Sequence, residues 1–146
     1  PHRLEPVRTV SEISFINDSA ATIPDATIAA LLSLRGQNII HILGGNDKKL
    51  DFTEWALVES NASIRQLVWL PGNANSTMKN LLNKAGQSIK SIDVATMADA
   101  VTAAYQIAER GDVVLLSPGA TSFGSFKHEF DRGDRFKEAA RNLLEK

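Results

Sequence analysis

The feature that most constrains the fold is a series of short apolar runs separated by stretches with helical spacing. The clearest run covers residues 38–43, which are mostly apolar and are followed directly by Gly44 and Gly45. Such a run is typical of a parallel strand buried on both faces and placed centrally in a sheet. Its alternation with helical stretches predicts an α/β fold: a Rossmann-like, three-layer, open and mostly parallel sheet with helices on both faces.

The remaining segments fit the same alternation. Residues 6–10 and 13–16 predict two short strands that pair as a hairpin or an edge pair. The other predicted elements are strands at 66–70, 89–92 and 113–116, and helices at 26–34, 52–60, 76–85, 97–110 and 133–144. Asp51 and Thr96 stand just ahead of two of these helices as candidate caps.

Composition narrows the class of protein. The 146 residues, 43% of them hydrophobic, suffice for one domain with a sizeable core. The 16 basic and 17 acidic residues leave a net charge of -1, which would not draw the chain onto nucleic acid or an anionic membrane. The absence of cysteine excludes disulfides and thiolate sites and fits the cytoplasm. No apolar run reaches the roughly 20 residues of a membrane helix, and the opening proline indicates a fragment boundary instead of a signal peptide.

Three polar loops are predicted at the carboxyl ends of strands, where α/β sheets bind ligands. They cover residues 17–23, 44–49 and 117–127 and are called here the first, second and third loops. In the first loop, Asn17, Asp18, Ser19 and Thr22 place hydroxyl and carboxylate groups just before a helix, where a carboxylate or a ribose could be held. The alternative is that these residues only cap the helix and shape the turn.

The second and third loops offer charges and hydroxyls. The second combines two glycines, which let the backbone approach a ligand, with Lys48 and Lys49, and its alternative is a solvated turn. Neither a phosphate-loop motif nor a dinucleotide glycine motif occurs in the chain. The third loop carries several hydroxyls and Lys127, while Phe123 and Phe126 are expected to pack it onto the sheet.

The histidines predict neither a metal centre nor a catalytic base. His41 alternates within a strand and is expected in the core, His2 lies at the chain end, and His128 stands alone. Packing is also the expectation for three aromatic residues at apolar positions of predicted elements: Trp55, Trp69 and Tyr105.

Several short residue strings occur in order along essentially the whole chain: Pro1-His2-Arg3-Leu4-Glu5, Phe15-Ile16-Asn17-Asp18-Ser19, Leu43-Gly44-Gly45 with Lys48, Leu115-Leu116-Ser117-Pro118, Ser122-Phe123, Phe126-Lys127 and Arg132-Gly133. Together these strings resemble the C-terminal domain of the Mur ligase family, in the branch that adds D-glutamate. Each string is short, but their order and spacing follow the family pattern on the fold already inferred.

The resemblance implies the amino-acid-accepting domain of an ATP-dependent ligase of peptidoglycan synthesis, an enzyme of cell-wall growth, cell shape and cell division. In such an enzyme, ATP and Mg2+ convert UDP-N-acetylmuramoyl-L-alanine into an acyl phosphate, which D-glutamate then attacks. The nucleotide-sugar domain and the central ATPase domain, which binds most of the ATP and Mg2+, are absent from this chain. The isolated domain is therefore expected to be inactive, and the enzyme to be a monomer with no nucleic-acid or membrane partner.

The resemblance also assigns site residues. It places Thr22, Lys48 and Ser122 on the D-glutamate carboxylates, and an ammonium with two hydroxyls suits a dicarboxylate. It places Arg3 and Asp18 against ATP after the domain closes. Further candidates for ligand contact are Ser19, Lys49 and Lys127.

The chain departs from the family pattern at three positions. Ala20 and Ile23 stand in place of a lysine and an asparagine, and Glu129 stands in place of an aromatic residue. The missing lysine keeps open a Mur-type ligase for another amino acid. A stand-alone Rossmann-like module that binds a nucleotide or an acidic metabolite is the other alternative.

Overall fold

One sheet organises the whole chain in a computed structural model that describes residues 1–86, 88–122 and 124–146. The strands are β1 (Glu5–Val10), β2 (Ile13–Asn17), β3 (Ile39–Leu43), β4 (Ile64–Trp69), β5 (Ser91–Asp93) and β6 (Val113–Leu116). The helices are α1 (Pro24–Ser33), α2 (Thr53–Asn61), α3 (Asn75–Lys84), α4 (Met97–Ile107) and α5 (Glu129–Arg141). Within the described residues, no helix combines the length and apolar character needed to span a membrane.

The strand order β1-β2-β6-β3-β4-β5 confirms the predicted open, mostly parallel sheet. Only β1 and β2 pair antiparallel, with Val10 opposite Ile13 across a tight turn, which confirms the predicted edge pair. All other described neighbours are parallel. The apolar run predicted as a central strand is β3, which lies beside β6 in the middle of the sheet, and both strands are buried along their whole length.

Alternate residues of the central strands fill two cores on opposite faces of the sheet. Val114 and Leu116 of β6 pack in a cluster with residues of α4 and α5. Val113 and Leu115 point the other way, into a cluster with residues of α1. A third cluster, which includes Leu43 of β3, joins α2 and α3 to the same second face. The period of two along a strand therefore produces the three layers predicted from the sequence.

Three predicted helix boundaries are wrong by three or more residues. The fourth helix was expected to reach residue 110 but ends at Ile107, because Ala108 is extended and Gly111 has a φ of +91° that turns the chain into β6. The last helix was expected over residues 133–144 but covers Glu129–Arg141. His128 caps it, since the ring accepts a hydrogen bond from the Asp131 N–H, so the expectation that His128 stands alone is also wrong.

The two predicted caps have different outcomes. Thr96 caps α4 as expected, because its hydroxyl oxygen accepts a hydrogen bond from the Asp99 N–H at 3.1 Å. Asp51 accepts a hydrogen bond from the Thr53 N–H at 2.9 Å, but the N-cap position itself is Phe52. Asp51 therefore stabilises the first turn of α2 from one position further out.

Candidate functional site

The three polar loops meet at one edge of the sheet, beyond the carboxyl ends of β2, β3 and β6. The Gly119 N–H donates to the Ala21 carbonyl at 2.9 Å and joins the third loop to the first. The Gly44 N–H donates to the Pro118 carbonyl at 3.1 Å and joins the second loop to the third. Neighbouring parallel strands end at the same edge, so residues far apart in the chain line one rim.

A two-way backbone bridge connects the second and third loops. The Asn46 N–H donates to the Thr121 carbonyl at 3.0 Å, and the Thr121 N–H donates back to the Asn46 carbonyl at 3.1 Å. Gly45 makes this approach possible, because a Cβ at this position would overlap the Thr121 carbonyl. The bridge joins the segments that carry Lys48 and Ser122, two residues after Asn46 and one residue after Thr121.

Asp18 is the buried carboxylate of the first loop. Its side chain accepts hydrogen bonds from the Ser117 hydroxyl at 2.7 Å and from the Leu4 N–H at 3.1 Å. Burial raises the pKa of the Asp18 carboxyl, and this effect exceeds the opposing influence of the Ser117 hydrogen bond, the Leu4 hydrogen bond and the nearby Arg3 charge. The structure thus brings the two predicted ATP contacts, Arg3 and Asp18, close together.

Asn17 fastens residues 2–5 to the first loop. Its amide nitrogen donates to His2 Nδ1 at 2.9 Å and to Glu5 Oε1 at 3.0 Å, while its oxygen accepts from the Ser19 N–H. His2 lies at the chain end, as the sequence shows, but it is only 7% exposed. These contacts were missed because they depend on how β1 returns beside β2, which no local pattern reports.

Arg132 of α5 is a buried cation beneath the rim. It is 1% exposed and donates to the Ser19 hydroxyl at 2.8 Å, the Ser19 carbonyl at 2.7 Å and the Ala120 carbonyl at 3.0 Å. Burial lowers its pKa to about 10. Arg132 therefore ties the first and third loops to α5. The residue was part of a recognised string, but no role was predicted for it.

The predicted ligand contacts differ in their surroundings. Thr22 is half-buried, Lys48 is exposed, and Ser122 is 5% exposed. Lys49, exposed, has a φ of +62°, and Lys127 is also exposed. The rim therefore combines exposed ammonium groups with less exposed hydroxyls, a combination that can neutralise and orient a carboxylate.

Two residues of this region have packing roles. The Ser19 hydroxyl is buried and donates to the Glu129 carbonyl at 2.6 Å, so it helps to dock α5 as well as standing near the rim. Phe126 packs against the core cluster of α4 and α5, as predicted. Phe123, for which the same packing was predicted, lies outside the described residues.

The other singled-out side chains lie in the core. His41 is fully buried and hydrogen-bonded on both ring nitrogens, as expected for a core histidine. Trp55, Trp69 and Tyr105 are buried as predicted. Across residues 1–86, 88–122 and 124–146, no three His, Asp or Glu side chains converge in a way that could hold a metal ion.

Comparison with known families gives a match over most of the chain. Residues 2–119 match the model described as Mur ligase, glutamate ligase domain. This range includes the first two loops, the residues at the start of β1 that contact Asp18, and the beginning of the third loop.

Two curated relatives carry the same name, UDP-N-acetylmuramoylalanine--D-glutamate ligase. The protein of Borreliella burgdorferi is 38% identical over 144 residues, which are 97% of this chain and 31% of the relative. The protein of Bacteroides thetaiotaomicron is 43% identical over 143 residues, again 97% of this chain and 31% of the relative. The chain therefore spans about a third of the length of these relatives.

A solved structure supports the fold. The murein peptide ligase of Psychrobacter arcticus superposes with a TM-score of 0.64 at 14% identity, covering 98% of this chain and 30% of that one. At this identity the likeness concerns the fold, and it shows that the six-stranded sheet and its helices occur as one part of a longer chain.

Proposed function

Because the chain belongs to the Mur ligase family through its glutamate ligase domain, we propose that it is the amino-acid-accepting domain of a D-glutamate-adding ligase. The ligase would join D-glutamate to UDP-N-acetylmuramoyl-L-alanine in peptidoglycan synthesis, in the cytoplasm and as a monomer. The observation that carries the proposal is the convergence of three loops, two of them bridged, on one rim within a chain about 40% identical to ligases of that name.

The rim has the chemistry to hold a dicarboxylic amino acid. Lys48 supplies a positive charge, and the Thr22 and Ser122 hydroxyls supply hydrogen bonds that recognise a carboxylate at a defined distance. Holding D-glutamate by both carboxylates leaves its amine unbound and directed at the second substrate. Further cationic contacts would come from Lys49 and Lys127.

Arg3 and Asp18 are the proposed contacts to ATP. Arg3 is exposed and can approach phosphate oxygens, while a carboxylate such as Asp18 accepts hydrogen bonds from ribose hydroxyls. Arg3 is next in the chain to Leu4, whose N–H donates to Asp18 at 3.1 Å, and this placement supports a joint role. In the described part of the chain no cluster of metal ligands is formed, so the proposal assigns Mg2+ to the remainder of the ligase.

The proposed reaction has two steps. The carboxylate of UDP-N-acetylmuramoyl-L-alanine attacks the terminal phosphorus of ATP, which gives an acyl phosphate and ADP. The amine of D-glutamate then attacks the acyl carbon, phosphate leaves, and an amide bond forms. This domain contributes by holding the nucleophile in place, which lowers the entropic part of the barrier. By itself the domain would bind D-glutamate weakly and catalyse no ligation.

The first test is ligase activity of the protein that contains this domain together with nucleotide-sugar and ATPase domains. Phosphate release is measured with UDP-N-acetylmuramoyl-L-alanine and ATP, and D-glutamate is compared with L-glutamate, D-aspartate and L-lysine. Turnover with D-glutamate alone supports the proposal. Preference for another amino acid would leave the family correct and the acceptor wrong, an outcome for which Ala20 and Ile23 are the candidate causes. Binding of a nucleotide without any turnover would favour a stand-alone binding module.

The acceptor residues are tested by substitution in the same ligase. Lys48→Ala and Ser122→Ala should each raise the KM for D-glutamate by about tenfold, the equivalent of one charge-assisted hydrogen bond, and should change the KM for ATP much less. Lys90→Ala is a matched control, because this exposed lysine directly precedes β5 and so lies at the amino-terminal ends of the strands, away from the rim. Equal effects on both substrates would argue against the assignment.

A further inference from the structure

A series of buried polar groups lies beneath the rim and links α2, β3, the third loop and the first loop. Trp55 Nε1 of α2 donates to Glu59 Oε1 at 2.9 Å, and Glu59 Oε2 lies 2.7 Å from His41 Nδ1. His41 Nε2 of β3 lies 2.8 Å from the Ser117 carbonyl. The Ser117 hydroxyl donates to Asp18 at 2.7 Å. These five residues, called here the buried polar chain, connect the surface of α2 that faces the sheet to a proposed ATP contact.

The partners of His41 hold its ring at both nitrogens. A backbone carbonyl can only accept, so Nε2 carries a hydrogen and donates to the Ser117 carbonyl. Glu59 accepts a hydrogen bond from Trp55 through one oxygen, and its other oxygen lies 2.7 Å from His41 Nδ1. Burial alone would lower the pKa of His41, but the neighbouring Glu59 more than offsets this, so the pKa is raised. The ring is therefore fixed between α2 and the Ser117 carbonyl.

A buried polar pair of this kind is an inefficient way to stabilise a core. His41 and Glu59 are both fully buried, and removing two ionisable groups from water costs free energy that their attraction only partly returns. Apolar residues of similar volume would often serve stability equally well. What the pair supplies, and apolar residues cannot, is a directed hydrogen bond to one carbonyl, that of Ser117, whose own hydroxyl holds Asp18.

We infer that His41 and Glu59 are positioning residues, which act through Ser117 to hold Asp18 in the orientation that receives ATP. The inference rests on the proposed function for the role of Asp18. A second contact supports the geometry: the Ser117 hydroxyl lies 3.0 Å from Thr27 Oγ1, and Thr27 donates to the Ser117 carbonyl at 3.3 Å. Ser117 is thus held from α1 and from β3, and both sets of contacts fix the side from which its hydroxyl meets Asp18.

The test uses the full ligase with three variants. The double variant His41→Leu/Glu59→Leu removes the pair without leaving a buried charge, so it should fold. Ser117→Ala keeps His41 and Glu59 and removes the last hydrogen bond of the buried polar chain, from the Ser117 hydroxyl to Asp18. Tyr105→Phe is the control: it deletes a half-buried hydroxyl that contacts Ser11 and Leu144 at the other end of the sheet.

We expect the first two variants to raise the KM for ATP about fivefold to tenfold, with the KM for D-glutamate changed less than twofold. The triple variant His41→Leu/Glu59→Leu/Ser117→Ala should raise the KM for ATP no more than the stronger of the two, because both changes act on the Asp18 carboxyl group. Amide hydrogen exchange of peptides covering residues 17–22 and 117–121 should be faster in both. The control should show none of these changes.

Two results would overturn the inference. One is unchanged kinetics and unchanged exchange in the double variant. The other is a rise of both KM values in parallel with the loss of thermal stability, which a purely structural pair would give. If the unmodified ligase proves inactive with D-glutamate, the proposed function fails on that result alone. The exchange rates of the two peptides then decide whether the buried polar chain positions Asp18.

Discussion

Arg132 shows how one side chain can fix the conformations of two loops of the candidate site, the first and the third. Its three hydrogen bonds reach Ser19 and Ala120, and Ser19 is 113 positions away in the chain. The guanidinium satisfies these acceptors at once because its donors have a fixed planar spread. A lysine also has three donors, but all of them are on one nitrogen, so it lacks the planar spread that reaches these separate acceptors.

Arg132→Lys should therefore lower the free energy of unfolding by about 3 kcal/mol, since buried acceptors lose their donors. Urea denaturation measures this change. Arg135→Lys is the matched control on the same helix: Arg135 is exposed and pairs with Asp131, and its replacement should cost at most about 0.5 kcal/mol. A similar loss in both variants would show that Arg132 is not a structural tie.

Glu5 gives a prediction for acid stability. The pKa of Glu5 falls from 4.5 to about 2, first because the His2 N–H donates to it and further because of Asn17 and Lys137. The folded state favours the ionised form, so the stabilisation is complete above pH 4.5 and is lost as the pH falls towards 2.

As the pH falls from 4.5 to 2, the free energy of unfolding should decrease by about 2 kcal/mol less in Glu5→Gln than in the unmodified protein, because glutamine does not titrate. The measurement is a series of urea denaturations across that pH range for both proteins. Parallel curves would mean that Glu5 is not a source of the acid sensitivity.

Helix α5 packs close to the site through a glycine. Added to Gly133, a Cβ would overlap the His2 ring and would lie 3.0 Å from the Asn17 amide nitrogen. In an ordinary helix position, alanine is more stable than glycine by about 1 kcal/mol. Here, however, the contact between α5 and residue 2 reverses the expected sign.

We expect Gly133→Ala to lower the melting temperature and the free energy of unfolding, the latter by about 2 kcal/mol, because the buried His2 ring must move out of the space that the new methyl group takes. The double variant His2→Ala/Gly133→Ala removes the overlapping ring and should be more stable than the sum of the two single changes predicts. Strictly additive effects would place the cause elsewhere.

At this scale the sequence predicted the elements better than their ends. The predicted strand over residues 113–116 agrees with β6, because a short apolar run between polar turn residues has few alternative secondary structures. The start of α5 was missed by four residues, since it depends on the His128 ring acting as a cap. The ends of helices are set by single hydrogen bonds, to which periodicity is insensitive.

The whole molecule has cores on both faces of one sheet, and they should unfold together. Trp55 and Trp69 both lie in the cluster formed with α2 and α3. Val114 lies on the opposite face, among residues of α4 and α5. Because β6 contributes side chains to both faces, loss of packing on one face also destabilises the packing on the other.

Val114→Ala should therefore lower the denaturation midpoint by the equivalent of about 2 kcal/mol, and the tryptophan fluorescence should report the full change. Far-UV circular dichroism should give the same midpoint. Two separate transitions, with the tryptophan signal unaffected, would show that the faces fold independently.

The rim could be predicted from the sequence only in outline. The ends of parallel strands identified the three loops, because the architecture places ligand-binding segments there. The contacts of Asn17, His2 and Arg132 could not be predicted in this way, since each joins segments distant in the chain. The candidate residues Lys48 and Ser122 came from resemblance, and their roles stay predictions.

The bridge between Asn46 and Thr121 has a consequence for selectivity. Four backbone atoms lock the second and third loops into one rigid frame, independently of any side chain that later contacts a ligand. The distance between the two loops is therefore fixed by the backbone when the sheet forms. A ligand that contacts both loops would have to match this distance. Substitutions of rim side chains would then change the affinity for such a ligand without changing the ligand length that fits.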